Sequence, residues 1–319
     1  MIEYIAIGII LLALEYTYLI LAKRLRIVDR PHHQSSHTGV VVRGGGIVFY
    51  AAYVLWFVLA GLQYPMIFAG LSIIAMTSFA DDIHSISPKV RMVLQFIALM
   101  VMLYETRVFS FPIVGMLFLS VVCVGIVNIY NFMDGINGMT GGYSLVITLA
   151  LLYVDYNIVD FIKAELLWYL LLAIVVFNLF NFRKRAKCFA GDVGSLSMGF
   201  VLVFLILKLI VSYGHMYWVA FLVVYGVDGG MTIMHRILLR ENLLKPHKKH
   251  AYQIMANELH MPHLQVSAIY MTLQAICCVV MIAWPSYYTL SAEVVVLIGM
   301  YLAFMKKYYY LHVRKDHES

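Results

Sequence analysis

Long apolar runs alternate with short polar segments along the whole of this chain, near residues 3–22, 45–62, 65–80, 89–104, 111–130, 141–156, 164–181, 195–212, 215–233, 264–284 and 288–305. Each run approaches the roughly 20 residues that an α-helix needs to cross a bilayer's hydrocarbon. The pattern predicts an all-α integral membrane protein, a polytopic bundle of about 10–11 transmembrane helices in one domain over 1–319. The first run, Ile2 to Ala22, lacks a positive leader and a small-residue cleavage site, so it reads as a retained span. One longer loop, about 234–263, reads as a partly helical insert.

Composition strengthens this picture. Apolar residues make up 63% of the chain, only 13% is charged, and the mean hydropathy is +0.86, far from soluble averages. The four cysteines (Cys123, Cys188, Cys277, Cys278) do not suggest a disulfide scaffold, since two are adjacent and two lie in or beside apolar runs. The net charge of +6 could suggest nucleic acid, but its distribution argues otherwise. With eleven spans, the loops near 23–44, 81–89, 131–140, 182–194 and 234–263 and the tail 306–319 share one face. That face holds 20 of the 23 Lys and Arg residues, which makes it cytoplasmic, with the N-terminus outside and the C-terminus inside.

The same face collects the chemistry. Eleven of twelve histidines lie there, with Asp81, Asp82, Asp134, Asp192 and Asp228. Near mid-bilayer only Glu15 and Lys208 qualify as ionisable groups, and they either pair or snorkel. So bare an interior argues against a transporter, which needs a polar path. The stretch Asn128-Ile-Tyr-Asn131-Phe-Met-Asp134-Gly135-Ile-Asn137-Gly138 is too polar for lipid and must face water or a ligand; a plain loop between spans is the alternative. Asp81-Asp82 at the end of a span invites a cation or proton transfer, or merely stops a helix. In Phe189-Ala-Gly191-Asp192-Val-Gly194-Ser195 an aspartate beside glycines at a helix start can hold a divalent cation, or cap the helix. His247-Lys-Lys-His250 offers cationic donors to a diphosphate, or faces anionic headgroups. The loop with His37, Arg43 and Gly44-Gly45-Gly46 is basic and glycine-rich. Acids for a cation, bases for phosphate and glycines for close approach, all on one face, fit a soluble diphosphate meeting a membrane-embedded partner.

Together these loops resemble those of the bacterial polyprenyl-phosphate N-acetylhexosamine-1-phosphate transferases, relatives of the phospho-N-acetylmuramoyl-pentapeptide transferase. The likeness covers nearly the whole chain. It implies an active site on the cytoplasmic face of the inner membrane, where a polyprenyl (undecaprenyl) phosphate attacks the β-phosphorus of a UDP-N-acetylamino sugar. UMP leaves, and Mg²⁺ is required, with Mn²⁺ as a substitute. The resemblance makes Asp192 the metal ligand and Asp81 and Asp82 the paired acids that activate the lipid phosphate or place the metal. Asn128, Asn131 and Asp134 match its Asn-x-x-Asn-x-x-Asp pattern, Asp134 being counted among the catalytic acids. Phe189 fits an aromatic that stacks on uracil, Asn181 a pocket amide, and Lys89 a basic residue seven after the second acid. His247 and His250 resemble a histidine motif near diphosphate and sugar, and Arg43 and His37 join the substrate-binding set. A homodimer is compatible with this family; nucleic acid is not.

Three departures bear on these expectations. The family often carries Asp-Gly-x-Asp-Gly, but the second acid here is Asn137, whose amide still offers an acceptor to a uracil N–H. The Asn181–Asp192 loop lacks the usual proline. The histidines are not consecutive as in the pentapeptide enzymes, which favours UDP-GlcNAc or a related sugar and the first membrane step of a surface glycan such as O-antigen or capsule. The pentapeptide transferase and a lipid-linked sugar transporter are the competing readings.

Overall fold

The computed structural model describes residues 2–29, 39–106, 113–242 and 247–318. All eleven apolar runs are helical, in the predicted order. They are α1 (Ile2–Arg24), α2 (Ile47–Leu59), α3 (Pro65–Ile83), α4 (Pro88–Glu105), α5 (Ile113–Phe132), α6 (Met139–Asn157), α7 (Ala164–Asn181), α8 (Gly191–Tyr213), α9 (Val223–Leu238) with a preceding 3₁₀ segment (Met216–Leu222), α11 (His263–Ala283) and α12 (Tyr287–Glu318). A short helix, α10 (Ala251–Asn257), lies in the long loop as expected.

The helices are not equal as spans. Among the described residues eight segments are long and apolar enough to cross a membrane: α1, α3, α5, α7, α8, the Met216–Leu238 unit, α11 and α12. Helix α2 has 13 residues and is therefore about 20 Å long, against a hydrocarbon core of about 30 Å. Helix α4 opens with Lys89 and Arg91 and closes on Glu105; α6 carries Thr140, Gly141, Gly142, Ser144 and Asp155. Of the about 10–11 transmembrane helices expected, these three fall outside the eight because they are short or polar. The fold is that of a polytopic all-α membrane protein.

Helix α8 is the hub. Its sequence is apolar on every side, the signature of a helix surrounded by protein, and 89% of its spanning window is buried against 28% for α1 and 22% for α12. Helices α2, α3, α5 and α6 pack around it. The outer helices turn large side chains outward, such as Ile5, Ile9 and Tyr16 on α1 and Val295, Val296 and Leu302 on α12. On a membrane protein this is the lipid-facing surface.

The ninth run is broken, and the break is compensated. Backbone groups released from helical bonding in hydrocarbon must find other partners. Gln274 of α11 donates to the Ala220 carbonyl at 2.9 Å and accepts from the Val224 N–H at 3.3 Å, while the Tyr225 N–H donates to the Tyr143 hydroxyl at 3.2 Å. Tyr143 in turn donates to Gln274. Glu15 and Lys208 take different partners: Glu15 is buried against the Cys188 thiol at 3.6 Å, and the Lys208 ammonium lies 5.3 Å from the centre of the Tyr64 ring.

The polar loops meet at one end of the bundle. A two-residue strand β1 (Val28–Asp29) pairs antiparallel with β2 (Val41–Val42), and Val42 forms a parallel bridge to Cys188. The Gly45 and Gly46 N–H groups continue this seam by donating to the Phe189 and Ala190 carbonyls at 2.9 and 3.0 Å. Here the start of α2 crosses the start of α8 so closely that a Cβ on Gly194 would meet the Gly46 Cα at 2.5 Å. Backbone cannot retreat as a flexible side chain can. Gly194→Ala is therefore expected to destabilise the protein by about 1–3 kcal/mol through overpacking. Thermal unfolding in detergent checks this; an unchanged midpoint would contradict the crossing.

Candidate active site

The loops bring four aspartates together around two arginines. Asp82, at the last turn of α3, has a fully buried side chain. Its two oxygens accept the Asp192 and Val193 N–H groups of α8, both at 3.1 Å, and it pairs with Arg43 Nε at 2.6 Å. The first N–H groups of a helix lack intrahelical partners and carry partial positive charge, so a carboxylate placed there satisfies both needs. Asp82 thus caps a helix distant in sequence, and Arg43 balances its charge. Burial works against the Arg43 guanidinium, but Asp82 and Asp192 outweigh it and hold its pKa above the ordinary arginine value.

Asp81 points the other way. It accepts the Ile86 N–H at 2.6 Å, closing the turn into α4, and the Arg91 Nη1 at 2.5 Å. The same Nη1 lies 3.2 Å from Asp192 Oδ2. The second Asp192 oxygen faces Arg43 at 3.7 Å and the Asn131 amide at 3.2 Å, and Asn131 also donates to Ser195 at 2.8 Å. Asp192 keeps 18% of its side-chain surface exposed, so of the carboxylates paired with these arginines it is the one most open to a ligand. Asp134 is half-buried, but its carboxyl turns inward to the hydroxyl of buried Thr140 at 2.5 Å. Burial pushes that carboxyl from its ordinary 3.8 up to about 7, with the Asp192 and Asp82 charges adding to the rise.

Several expected residues prove to be braces. Asn181 is buried; its amide accepts the Gly138 N–H and donates to the Cys188 carbonyl, both at 2.8 Å, so it ties two loops together instead of lining a pocket. Gly138, at φ 81° and with Phe182 against it, has no room for a side chain. The Asn137 amide donates to the Arg183 carbonyl at 2.9 Å while its buried oxygen has no hydrogen-bond partner among the described residues, leaving the expected acceptor function available. Asn128 turns to Gln95 of α4 at 2.7 Å and to its own helix at Val124, away from the aspartates. Phe189 is half-buried on the seam beside Asp192. His37 lies outside the described residues.

The basic residues differ most from expectation. Lys89 is exposed, and Arg91, two residues on, is the cation of α4 that reaches the aspartates. His250 is buried and serves as the cap of α10, its Nδ1 3.3 Å from Asp228. Asp228 also accepts the Ala251 N–H at 3.2 Å and the Tyr270 hydroxyl, and so anchors the histidine loop to α9 and α11. His247 is half-buried beside His250, and burial followed by that neighbour pushes it down to about 3. It is thus a neutral imidazole at pH 7, not the cationic donor expected. The loop still abuts the site: the Tyr252 hydroxyl donates to the Phe132 carbonyl at 2.8 Å and sits against Gly135.

Among the described residues no three His, Cys, Asp or Glu side chains converge as a metal set. This leaves room for a cation held by one or two carboxylates with water and ligand oxygens, the habit of Mg²⁺. Asp192 suits this by its exposure and hard oxygens, whereas Asp82 is saturated. Beside the cluster, an apolar cavity of about 500 Å³ runs between α5, α8, α9 and α12, lined by residues such as Leu119, Ile126, Val203, Ile206, Val227 and Leu290. Ile129 and Tyr130 also line it, immediately before Asn131 in the carboxylate cluster.

Fold and site define a polytopic membrane protein with an arginine-balanced carboxylate cluster at one end and an apolar cavity beside it. The family model described as glycosyl transferase family 4 matches residues 64–210, which include Asp81, Asp82, Asp134 and Asp192. A probable undecaprenyl-phosphate N-acetylglucosaminyl 1-phosphate transferase of Bacillus subtilis is 27% identical over 254 residues, 73% of this chain and 70% of that protein. The undecaprenyl-phosphate alpha-N-acetylglucosaminyl 1-phosphate transferases of Escherichia coli K12 and Yersinia pestis are 27% and 25% identical, over 59% of this chain and 56% of theirs. Residues 64–210 of the chain are thus similar to glycosyl transferase family 4, and more than half of its length is similar to these transferases.

Asp134 gives a pH prediction. Its folded-state pKa is raised, so the stability it contributes is fully present below about 3.8 and is lost as pH rises through about 7. The stability of the wild type relative to Asp134→Asn should fall across that window and level off above it. Unfolding midpoints in detergent from pH 4 to 8 test this; a constant difference would mean that Asp134 is not desolvated.

Proposed function

We propose that the protein transfers a sugar-1-phosphate, GlcNAc-1-phosphate or that of a related N-acetylamino sugar, from a UDP-sugar to undecaprenyl phosphate with release of UMP. The observation that carries this reading is the meeting of Asp81, Asp82, Asp192, Arg43 and Arg91, from four separate elements, beside an apolar cavity. One substrate of such a reaction is an anionic diphosphate and the other an anionic headgroup on a hydrocarbon chain. A carboxylate cluster with bound cations suits the first, and the cavity between α5, α8, α9 and α12 suits the chain of the second. The names of the relatives supply the acceptor lipid and the sugar.

In this reading Mg²⁺ is held by Asp192, with Asp134 near enough to feel its charge, and neutralises the diphosphate as the phosphoryl group transfers. Arg43 and Arg91 bring fixed positive charge to the same place. Asp82 holds the start of α8, and thereby Asp192, in position. Asp81 is the acid beside the lipid phosphate. Phe189 offers its ring to the uracil, and the unpartnered Asn137 oxygen offers an acceptor. Because 20 of the 23 Lys and Arg residues lie on the loops and tail assigned to the active-site face, that face is the cytoplasmic side of the bacterial inner membrane. The product begins a surface glycan.

The test is UMP release by purified protein with undecaprenyl phosphate, Mg²⁺ and UDP-GlcNAc, UDP-GalNAc or UDP-MurNAc-pentapeptide in separate reactions. Turnover with an N-acetylhexosamine donor, abolished by a chelator, is expected. Asp192→Ala should lower it by roughly 100-fold or more while the protein stays folded. Full activity of that variant would remove the metal assignment, and no UMP from any donor would remove the reaction.

A further inference from the structure

Arg91 stands where a cation at Asp192 would compete with it. A single nitrogen, Nη1, reaches Asp81 Oδ2 at 2.5 Å and Asp192 Oδ2 at 3.2 Å, so one guanidinium is shared between the end of α3 and the start of α8. Two carboxylates brought this close raise one another's energy unless positive charge lies between them. Arg43 does the same for Asp82 and Asp192, but the two arginines are held differently. The Arg43 partner Asp82 is fully buried and bonded to two backbone N–H groups, and the Arg43 carbonyl is fixed by the Tyr18 hydroxyl at 2.7 Å. Arg91 is itself less exposed than Arg43, at 24% against 38%, but its partners Asp81 and Asp192 both keep some exposure, whereas Asp82 keeps none. Arg91 can therefore exchange one partner while Asp81, itself tied to the Ile86 N–H, remains as its pivot.

We propose that Arg91 is an exchangeable counter-ion of the metal-binding aspartate. It neutralises Asp192 while no divalent cation is bound, yields that oxygen when a cation arrives, and turns its freed N–H groups to the diphosphate while staying on Asp81. This rests on the reading of Asp192 as the metal ligand given above. Arginine suits the task because its planar, permanently charged fork can serve a carboxylate and a phosphate together, which a point-charge ammonium cannot. Since guanidinium and metal contend for the same oxygen, removing Arg91 should strengthen cation binding while weakening binding of the diphosphate. A purely architectural role would weaken both.

The experiment is Mn²⁺ binding to the purified full-length protein in detergent, followed by electron paramagnetic resonance without nucleotide, and then UDP binding at saturating Mn²⁺. Arg91→Gln is expected to bind Mn²⁺ several-fold more tightly than wild type and UDP several-fold more weakly. Arg91→Lys should show the same directions to a smaller degree. Unchanged or weaker Mn²⁺ binding in Arg91→Gln overturns the proposal. So does tightening in Arg91→Gln with Arg91→Lys at the wild-type value, which is the mark of net charge acting at a distance. Asp192→Asn separates this from the underlying reading. If Mn²⁺ still binds equally to that variant, the metal assignment falls and the proposal with it. If binding is lost there yet Arg91→Gln matches wild type, only the proposal fails.

Discussion

The bond on which the site depends is the one between Asp82 and the start of α8. A buried carboxylate is costly, and it is tolerated here because two backbone N–H groups, a helix N-terminus and the Arg43 guanidinium all converge on it. Through that convergence three distant parts of the chain are fixed to one another: the end of α3, the loop ahead of α2, and the hub helix. The glycine crossing at Gly46 and Gly194 and the seam from Val42 to Ala190 are the backbone counterpart of the same junction. Asp192 inherits its position from this arrangement, since its own N–H is one of the two that Asp82 receives.

Much of the bundle was legible in the sequence because hydrocarbon enforces long apolar runs, and all eleven became helices in order. The count of equivalent spans was less legible. The 13 residues of α2 merge in sequence with flanking apolar residues, and the polar residues of α4 and α6 lie at the helix ends or, like Gln95, Thr140 and Ser144, are buried against protein. The loops that carry the chemistry could be read as well, since their composition has no other use in a membrane protein. The partner of each side chain could not. Lys89 and Arg91 are equally plausible by spacing, and only the turn closed by Asp81 and Ile86 decides that Arg91 reaches inward. Asn181, Asn128 and His250 have the residue types of ligand-binding groups, yet Asn181 and the Asn128 amide nitrogen are used by backbone and Gln95, and the His250 Nδ1 by Asp228. Asp228 was visible as one more acid on the shared face, but its role as the anchor of α10 depends on contacts from α9, α10 and α11 that periodicity does not reveal.

Within the site, the two kinds of burial divide the work. Asp82, Asn181 and the Asp228–His250 pair are enclosed and hold loops at fixed spacing. Asp192, Arg91 and Arg43 stay open enough to meet a ligand. The break between the 3₁₀ segment and α9 follows the same logic inside the hydrocarbon. There Gln274 and Tyr143 satisfy the released backbone and allow an irregular turn beside the apolar cavity.

The hub helix arrives late. A ribosome makes α1 to α7 before residue 191, and Asp82 waits 110 residues for the N–H of Asp192. Until then α2 and α3 have neither the apolar wall they pack against nor the helix start that their acidic residue caps. Synthesis of the first seven helices therefore comes before the junction that completes the site can form. The site comes into being only when α8 packs among those helices.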